Sequence, residues 1–181
     1  LTIERFNESE LMDFTLTRED IPVKDVSYFG MLDESIGYIR LTRFSKNSHL
    51  EVEKAIKSLM GNDMKSIVLD LRDNPGGLLN SAVKILDLFI EKKELLVWTD
   101  GKARQSNKKY FSKNDPIVSN DIQIAVLING GSASASEIVA GVMQDLDRGV
   151  VIGRKSFGKG LVQTVYNIDR NKALKVTTAK Y

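Results

Sequence analysis

Two parts of the chain repeat one arrangement, in which a short apolar strand is followed by a turn of small residues and then by an amphipathic helix. The first strand is SIVLDLR (66–72), and the turn DNPGG (73–77) follows it directly. Residues 122–146 contain the same order in IQIAVLIN, GGSASAS and EIVAGVMQDL, and a further strand, VVIG, occupies 150–153. Strands that alternate with helices form parallel sheets, whose ligands bind at the carboxyl ends of the strands. We therefore predict an α/β fold with both turns at one edge of the sheet.

The amino-terminal region has a different pattern. LTIER and LMDFTLTR, within the first 20 residues, alternate apolar and polar residues with the period of a strand, and the polar turn FNES separates them. We predict a β-hairpin there, a break at Pro22, and a further strand at IGYIRL (36–41).

A helix is predicted from Ser48 onward. Ser48 and Glu51 match a capping box, and Val52 and Ile56 continue an apolar stripe at helical spacing. His49 falls in the first turn of this helix, with no acid or serine motif nearby. This position indicates a partly solvated histidine rather than a catalytic one.

The composition excludes several kinds of active site. The chain has no cysteine and one histidine, so it cannot build a thiol nucleophile, a cysteine metal site or a multi-histidine zinc site. Nucleophilic catalysis is then expected to use a base other than histidine. The net charge is +2 and the basic residues are scattered, which does not indicate a surface for nucleic acid.

The chain gives no sign of a membrane span or a leader peptide, since it has no run of about 18 apolar residues. It opens on Leu1 and stops at Tyr181 inside a strand-like run. We expect both ends to lie within a longer polypeptide.

Ser134 has two interpretations from its position between small residues, just before the second helix. If Ser134 is a nucleophile, the helix dipole and the adjacent N–H would stabilise the oxyanion that its attack produces. As a structural residue it would cap the helix, because Ser134 and Glu137 match a capping box. Ser132 and Ser136 are alternatives for either role.

Lys159 also has two interpretations. It lies in SFGKGLVQ, between two glycines and just before an apolar strand. In the first interpretation it is an exposed lysine of a surface hairpin. In the second it is a general base, because apolar surroundings lower the pKa of a lysine side chain toward neutrality. Period-two spacing predicts that Lys159, Leu161 and Gln163 share one face, where Gln163 would hydrogen-bond Lys159.

The DNPGG turn supplies candidate oxyanion donors. Its Gly76 or Gly77 would lend an N–H alongside that of Ala135, although an ordinary glycine helix start is the alternative. A Pro-Gly-Gly turn by itself is weak evidence for an oxyanion hole. Its combination with a second turn, a serine among small residues and a lysine between glycines is much more specific.

Residues 99–116 form a polar, lysine-rich stretch. A solvated loop or hairpin is the simple interpretation. The functional one is that Tyr110 and Phe111 line a groove for an extended peptide added at a sheet edge.

Three segments together resemble the C-terminal processing proteases, also called tail-specific proteases. They are SIVLDLRDNPGGLLN (66–80), VLINGGSASASEIVAGVMQDLDR (126–148) and VVIGRKSFGKGLVQTVY (150–166). The resemblance extends over roughly residues 21–181, and the serine segment together with FGKG-x-VQ is highly specific.

The resemblance implies a serine endopeptidase that needs no cofactor or metal. Ser134 would be the nucleophile, Lys159 the general base, and Gln163 the residue that orients the lysine. The oxyanion would be held by Ala135 and one glycine of the NPGG turn, Gly76 or Gly77. The implied fold is the layered α/β core shared with ClpP and crotonases.

The resemblance also implies a domain organisation and a setting. Residues 1–20 would be the last strands of a PDZ domain, which binds the substrate tail, and residues 21–181 would be the catalytic core, truncated at its C-terminus. Partners would be proteins or peptides with accessible C-terminal tails, in a periplasm or cell envelope. Two other functions stay open: a catalytically silent binding relative of this fold, and a crotonase-type acyl-CoA enzyme.

Overall fold

The computed structural model describes residues 1–19 and 23–181. The predicted break at Pro22 and the predicted domain boundary after residue 20 lie outside the described residues. Within them, the strands are, in chain order, β1 (Thr2–Ile3), β2 (Met12–Asp13), β3 (Val26–Met31), β4 (Ile36–Leu41), β5 (Ser66–Asp70), β6 (Leu95–Thr99), β7 (Lys108–Phe111), β8 (Gln123–Ile128), β9 (Val150–Gly153), β10 (Leu161–Asn167) and β11 (Ala173–Lys180). The helices are α1 (Ser48–Met60), α2 (Leu79–Leu86) and α3 (Ala135–Asp145), with a short 3₁₀ helix at Arg104–Ser106.

The central sheet has the strand order β3-β4-β5-β8-β9. β3 pairs with β4 antiparallel, and every later pair is parallel. Parallel neighbours need a crossover, and α1, α2 and α3 lie in the three connections between β4, β5, β8 and β9. The α/β prediction is therefore confirmed, with the strands that precede both turns adjacent in the sheet.

One face of the sheet packs against the helices. Ile67 and Leu69 of β5 are fully buried, as are Ile56, Ile85 and Val139 from the three helices. α2 packs against both α1 and α3, so the helices form one layer over the sheet. No helix in the described ranges has both the length and the apolar character that a membrane crossing requires.

Three hairpins accompany this sheet. β1 pairs with β2, which confirms the predicted amino-terminal hairpin, β6 pairs with β7, and β10 pairs with β11. The lysine-rich stretch thus contains a hairpin strand, as the simple interpretation predicted. Backbone hydrogen bonds of 2.9 and 2.8 Å between Asp100 and Lys180 join the ends of β6 and β11.

The predicted cap of α1 is wrong. Asn47 is the N-cap residue, and the hydroxyl of Ser48 donates to the Ser45 carbonyl at 3.0 Å. Glu51 accepts instead from the backbone N–H groups of Asp25 and Val26, both at 2.9 Å. These donors begin β3 and lie far away in sequence, so a local pattern could not identify them.

A buried charged group marks the end of β5. Asp70 is fully buried, and it accepts from the Tyr38 hydroxyl at 2.5 Å and from Nε and Nη2 of Arg72 at 2.9 and 2.6 Å. Burial alone would raise the pKa of Asp70, but the hydrogen bonds from Arg72 and Tyr38 hold it below its ordinary value. The group fixes the strand end from which the 73–77 turn departs.

We expect Asp70→Asn to lower the free energy of unfolding by about 3 kcal/mol, because the change leaves Arg72 without its buried counter-ion. Urea unfolding at neutral pH measures the loss. Asp169→Asn is the matched control: Asp169 is 48% exposed and pairs with Lys172 at 3.5 Å, so less than about 0.5 kcal/mol should be lost. Equal losses in the two variants would contradict this account of Asp70.

Candidate active site

The two turns follow the carboxyl ends of β5 and β8, at one edge of the sheet as predicted, and they are in direct contact. An atom added as Cβ on Gly76 would lie 2.5 Å from the Ala133 carbonyl oxygen and 2.8 Å from the Cβ of Ser134. Gly76 also has φ of +94°, a conformation that favours glycine. Glycine at position 76 is therefore what lets the DNPGG turn reach the serine turn.

Asn74 holds the two turns together. It is fully buried; its carbonyl accepts from the Ala133 N–H at 3.0 Å and from the Ser136 hydroxyl at 2.9 Å. Its side-chain oxygen accepts from the Gly76 N–H at 2.9 Å, and its side-chain nitrogen donates to the Leu41 carbonyl at 2.9 Å. The sequence pattern around Asn74 does not by itself indicate this role.

Ser134 has an unusual backbone conformation for a helix cap. It is the N-cap of α3, where the predicted capping box with Glu137 is present, and it has φ of 56° and ψ of −114°. A capping residue ordinarily lies in the extended region, whereas a serine on a sharp strand-to-helix turn at positive φ is typical of a nucleophile elbow. Strain of about 1–3 kcal/mol at such a residue often accompanies function. The geometry therefore favours the nucleophile interpretation.

The alternative serines are engaged in structural hydrogen bonds. Ser132 is fully buried, accepts from the Asn129 N–H at 3.0 Å and donates to the Leu71 carbonyl at 2.7 Å. Ser136 is also fully buried and donates to Asn74. Ser134, by contrast, is half-buried and lines a cavity.

That cavity has a volume of about 370 Å³ and brings Ser134, Lys159 and Gln163 together. Lys159 is half-buried, and Gln163 is exposed at the wall. Within residues 1–19 and 23–181, no hydrogen bond joins the side chains of these three residues. The predicted contact between Gln163 and Lys159 stays a prediction.

Lys159, Leu161 and Gln163, which were predicted to share one face, all line this cavity. Lys159 precedes β10, which begins at Leu161, so the spacing of the strand applies only to the other two. The register between β10 and β11 shifts after Val162. Val162 pairs with Ala179 and Gln163 with Thr177, so the extra residue of this bulge lies on β11 rather than on β10.

Glu137 links the serine turn to the lysine segment. Oε2 of its carboxylate accepts from the N–H of Ser134 at 2.7 Å, the acid half of the predicted capping box, and from the N–H of Lys159 at 2.8 Å. Oε1 accepts from the Gly158 N–H at 2.6 Å and the Ser156 hydroxyl at 2.7 Å. The local pattern identified Glu137 as a capping acid, but its contacts with the lysine segment could not be predicted.

Candidate oxyanion donors differ in their availability. The N–H of Gly76 donates to Asn74. Within the described part of the chain, the N–H groups of Gly77 and Ala135 make no hydrogen bond, and both residues line the cavity beside Ser134. A Cβ on Gly77 would lie 2.2 Å from the Phe44 carbonyl oxygen, so this position also requires glycine.

Other polar groups do not assemble a competing site. His49 lies in the first turn of α1, as predicted, and burial lowers its pKa. The described residues hold no cluster of acids and histidine able to bind a metal. A larger cavity of about 820 Å³ lies at the amino ends of β8 and β9, but its Arg148 donates to backbone carbonyls of Phe89 and Ile122.

We expect Glu137→Gln to lower the free energy of unfolding by about 2 kcal/mol at pH 7, because four donors lose a charged acceptor. Burial alone would raise the pKa of Glu137, but the four hydrogen bonds hold it below its ordinary value. The stabilisation by the Glu137 carboxylate is therefore complete above the pKa that this group has in the unfolded chain. It is lost as the pH falls through the lower pKa that the group has in the folded chain.

Urea unfolding at about pH 7 and about pH 3.5 tests this linkage, and the deficit of Glu137→Gln should shrink at the lower pH. Glu53→Gln is the control, since Glu53 pairs with Lys57 on the surface. A deficit of the same size at both pH values would show that the charge of Glu137 is not what stabilises the site.

Comparisons with known proteins agree on one family. The model of peptidase family S41 matches residues 35–181. Over its whole length the chain is 43% identical to a carboxy-terminal-processing protease of Bartonella bacilliformis, of which it covers 42%. Over 93% of its length it is 38% identical to a carboxyl-terminal-processing protease of Synechocystis sp., of which it covers 39%.

Solved structures show the same fold. The photosystem II D1 C-terminal processing protease matches with a TM-score of 0.74 and 30% identity, over 95% of this chain and 47% of that one. A putative S41 protease from Bacteroides fragilis matches with a TM-score of 0.75 over 90% of this chain and 47% of that one, and its 18% identity shows the fold alone. The chain spans less than half the length of each of these relatives. With a family model that matches most of its length, the chain belongs to peptidase family S41.

Proposed function

We propose that this chain is the catalytic core of a serine endopeptidase that cleaves proteins near their C-termini through a Ser134–Lys159 dyad. The observation that carries the proposal is the strained backbone of Ser134 at the start of α3, in a cavity that Lys159 also lines. The names of the family and of the relatives support the reaction class, which nothing in the cavity contradicts.

The chemistry follows from the residues at the cavity. Lys159 removes the proton of the Ser134 hydroxyl, and Oγ attacks the scissile carbonyl. The N–H groups of Ala135 and Gly77 hold the tetrahedral oxyanion, aided by the positive end of the α3 dipole. Lys159 then protonates the leaving amine, which leaves an acyl-enzyme. A water molecule deprotonated by Lys159 releases the product, while Gln163 orients the lysine.

The hydrogen bonds of the turn favour Gly77 over Gly76 as the second oxyanion donor. Gly76 already donates to Asn74, so donating to an oxyanion would cost it that bond. Gly77 has no such partner in the described ranges and is the better second donor. Preorganised backbone donors of this kind are typically worth about 3 kcal/mol each in the transition state.

An extended, poorly folded substrate fits the shape of the site. Leu79 and Val162 line both the Ser134 cavity and an adjoining one of about 260 Å³ that includes Tyr110. A peptide that runs through both cavities would contact Tyr110, as the groove hypothesis predicted, whereas Phe111 lines neither. Apolar walls from Leu78 and Ile138 suit an uncharged residue next to the scissile bond.

Three further features belong to this proposal. The sheet and helices form the layered core shared with ClpP and crotonases. The β1–β2 hairpin is the last part of a PDZ domain that captures the substrate tail. The enzyme acts outside the cytoplasm, in a periplasm or cell envelope. All three derive from the family resemblance.

The rival functions explain less of the geometry. A binding relative would have no need for positive φ at Ser134 or for a lysine in the cavity. A crotonase-type enzyme would use the paired N–H groups but would require neither Ser134 nor Lys159. Turnover of an acyl-CoA thioester would separate the second rival from a protease.

We expect the chain to cleave a disordered protein with an apolar C-terminal tail, and Ser134→Ala and Lys159→Ala each to lower kcat by about 1,000-fold or more without unfolding the chain. The reason is that one variant lacks the nucleophile and the other lacks its base. Mass spectrometry of the products measures both the rate and the cut position.

Two controls accompany these variants. Lys155→Ala changes an exposed lysine in the same segment, and Ser58→Ala changes an exposed serine of α1; both should retain the parent rate within about two-fold. Cleavage at any pH by Lys159→Ala at the parent rate would refute the dyad. If the parent is inactive even with the rest of the natural protein attached, the binding function is favoured.

A further inference from the structure

Tyr181 is a polar residue of the cavity that the proposed mechanism does not use. It follows β11 and lines the same cavity as Ser134 and Lys159. Its side chain is half-buried rather than directed into solvent. The sequence pattern around it, KALKVTTAKY, predicted a strand and no function.

Both the side chain and the backbone of Tyr181 bind the lysine segment. The hydroxyl donates to the Lys159 carbonyl at 2.5 Å, and the Tyr181 N–H donates to the Gly160 carbonyl at 3.2 Å. One residue thus binds two consecutive carbonyl groups. Lys180, just before it, pairs with Leu161 at the start of β10.

The other side of Lys159 is bound by Glu137. The Lys159 N–H donates to Oε2 of Glu137 at 2.8 Å. The backbone of Lys159 is therefore fixed on its N–H side by an acid that also binds Ser134, and on its carbonyl side by Tyr181. A lysine side chain is long and flexible, so fixing its backbone limits where the ammonium group can lie.

The hydroxyl of Tyr181 is suited to a donor role. Burial raises the pKa of Tyr181, against an opposing effect of the neighbouring Ser134 side chain. The hydroxyl therefore keeps its proton at neutral pH and can donate it to a carbonyl. Its proximity to Ser134 also places the tyrosine ring beside both members of the dyad.

We propose that Tyr181 is a positioning residue, whose hydroxyl binds the Lys159 carbonyl and thereby aligns the lysine Nζ with Ser134. This role rests on the proposed function, because alignment matters only if Lys159 is the base. A misplacement of about 1 Å in a catalytic group can cost about 100-fold in rate, whereas substrate binding need not change. Tyr181 would then affect kcat and leave KM nearly unchanged.

The test is Tyr181→Phe, which keeps the ring and removes the donor. We expect kcat to fall about 10- to 100-fold while KM stays within about two-fold. Tyr28→Phe is the matched control: Tyr28 lies in β3, away from both cavities of the site, it is 56% exposed, and its hydroxyl makes no hydrogen bond in the part of the chain described. The control should keep the parent values. A kcat of Tyr181→Phe within about two-fold of the parent, after correction for the folded fraction, overturns the inference.

Hydrogen exchange of the amides of residues 156–162 gives a second readout that does not need turnover. Tyr181→Phe should speed exchange there and Tyr28→Phe should not, because only the first loses the bond to Lys159. If the parent cleaves but Tyr181→Phe changes neither hydrogen exchange nor kcat, the positioning role of Tyr181 is wrong and the proposed function still stands. If the parent does not cleave even with the rest of the natural protein attached, the proposed function fails and the positioning role of Tyr181 with it, while exchange still reports whether the hydroxyl holds the segment.

Discussion

The carboxylate of Glu137 joins the serine turn to the segment that carries Lys159. The serine turn belongs to the central sheet and α3, whereas Lys159 belongs to the segment that leads into the β10–β11 hairpin. Glu137 accepts hydrogen bonds from Ser134, Ser156, Gly158 and Lys159. A half-buried acid with four donors is a strong acceptor, and it couples the position of the candidate base to that of the candidate nucleophile.

The strain at Ser134 depends on a second set of contacts. Positive φ at a non-glycine residue persists where the surroundings determine the backbone. Here the Asn74 carbonyl binds Ala133 and Ser136 on either side of Ser134, and Gly76 packs against the serine itself. The parallel sheet makes this possible, because the carboxyl ends of β5 and β8 are adjacent. The hydrogen bonds of Asn74 that join the two turns of the fold therefore also hold Ser134 in its conformation.

Much of the fold followed from local patterns, and most of what was missed depends on distant contacts. Strands β5 and β8 and helix α3 were predictable because apolar periodicity and small-residue turns act within one segment. The cap of α1 was not, because Glu51 binds the start of β3 rather than its own helix. For the site, the motifs identified Ser134 and Lys159, but the contacts of Glu137 with the lysine segment arise between distant parts of the chain. Tyr181 likewise acquires its contacts only when β11 returns to β10.

The proposed mechanism requires Ser134 to be an activated nucleophile. Incubation with a fluorophosphonate, followed by digestion and mass spectrometry, measures which serine becomes covalently modified. We expect one adduct, on Ser134, that is lost in Lys159→Ala and retained in Lys155→Ala. Modification of Ser132 or Ser136 in place of Ser134, or labelling that does not depend on Lys159, would contradict it.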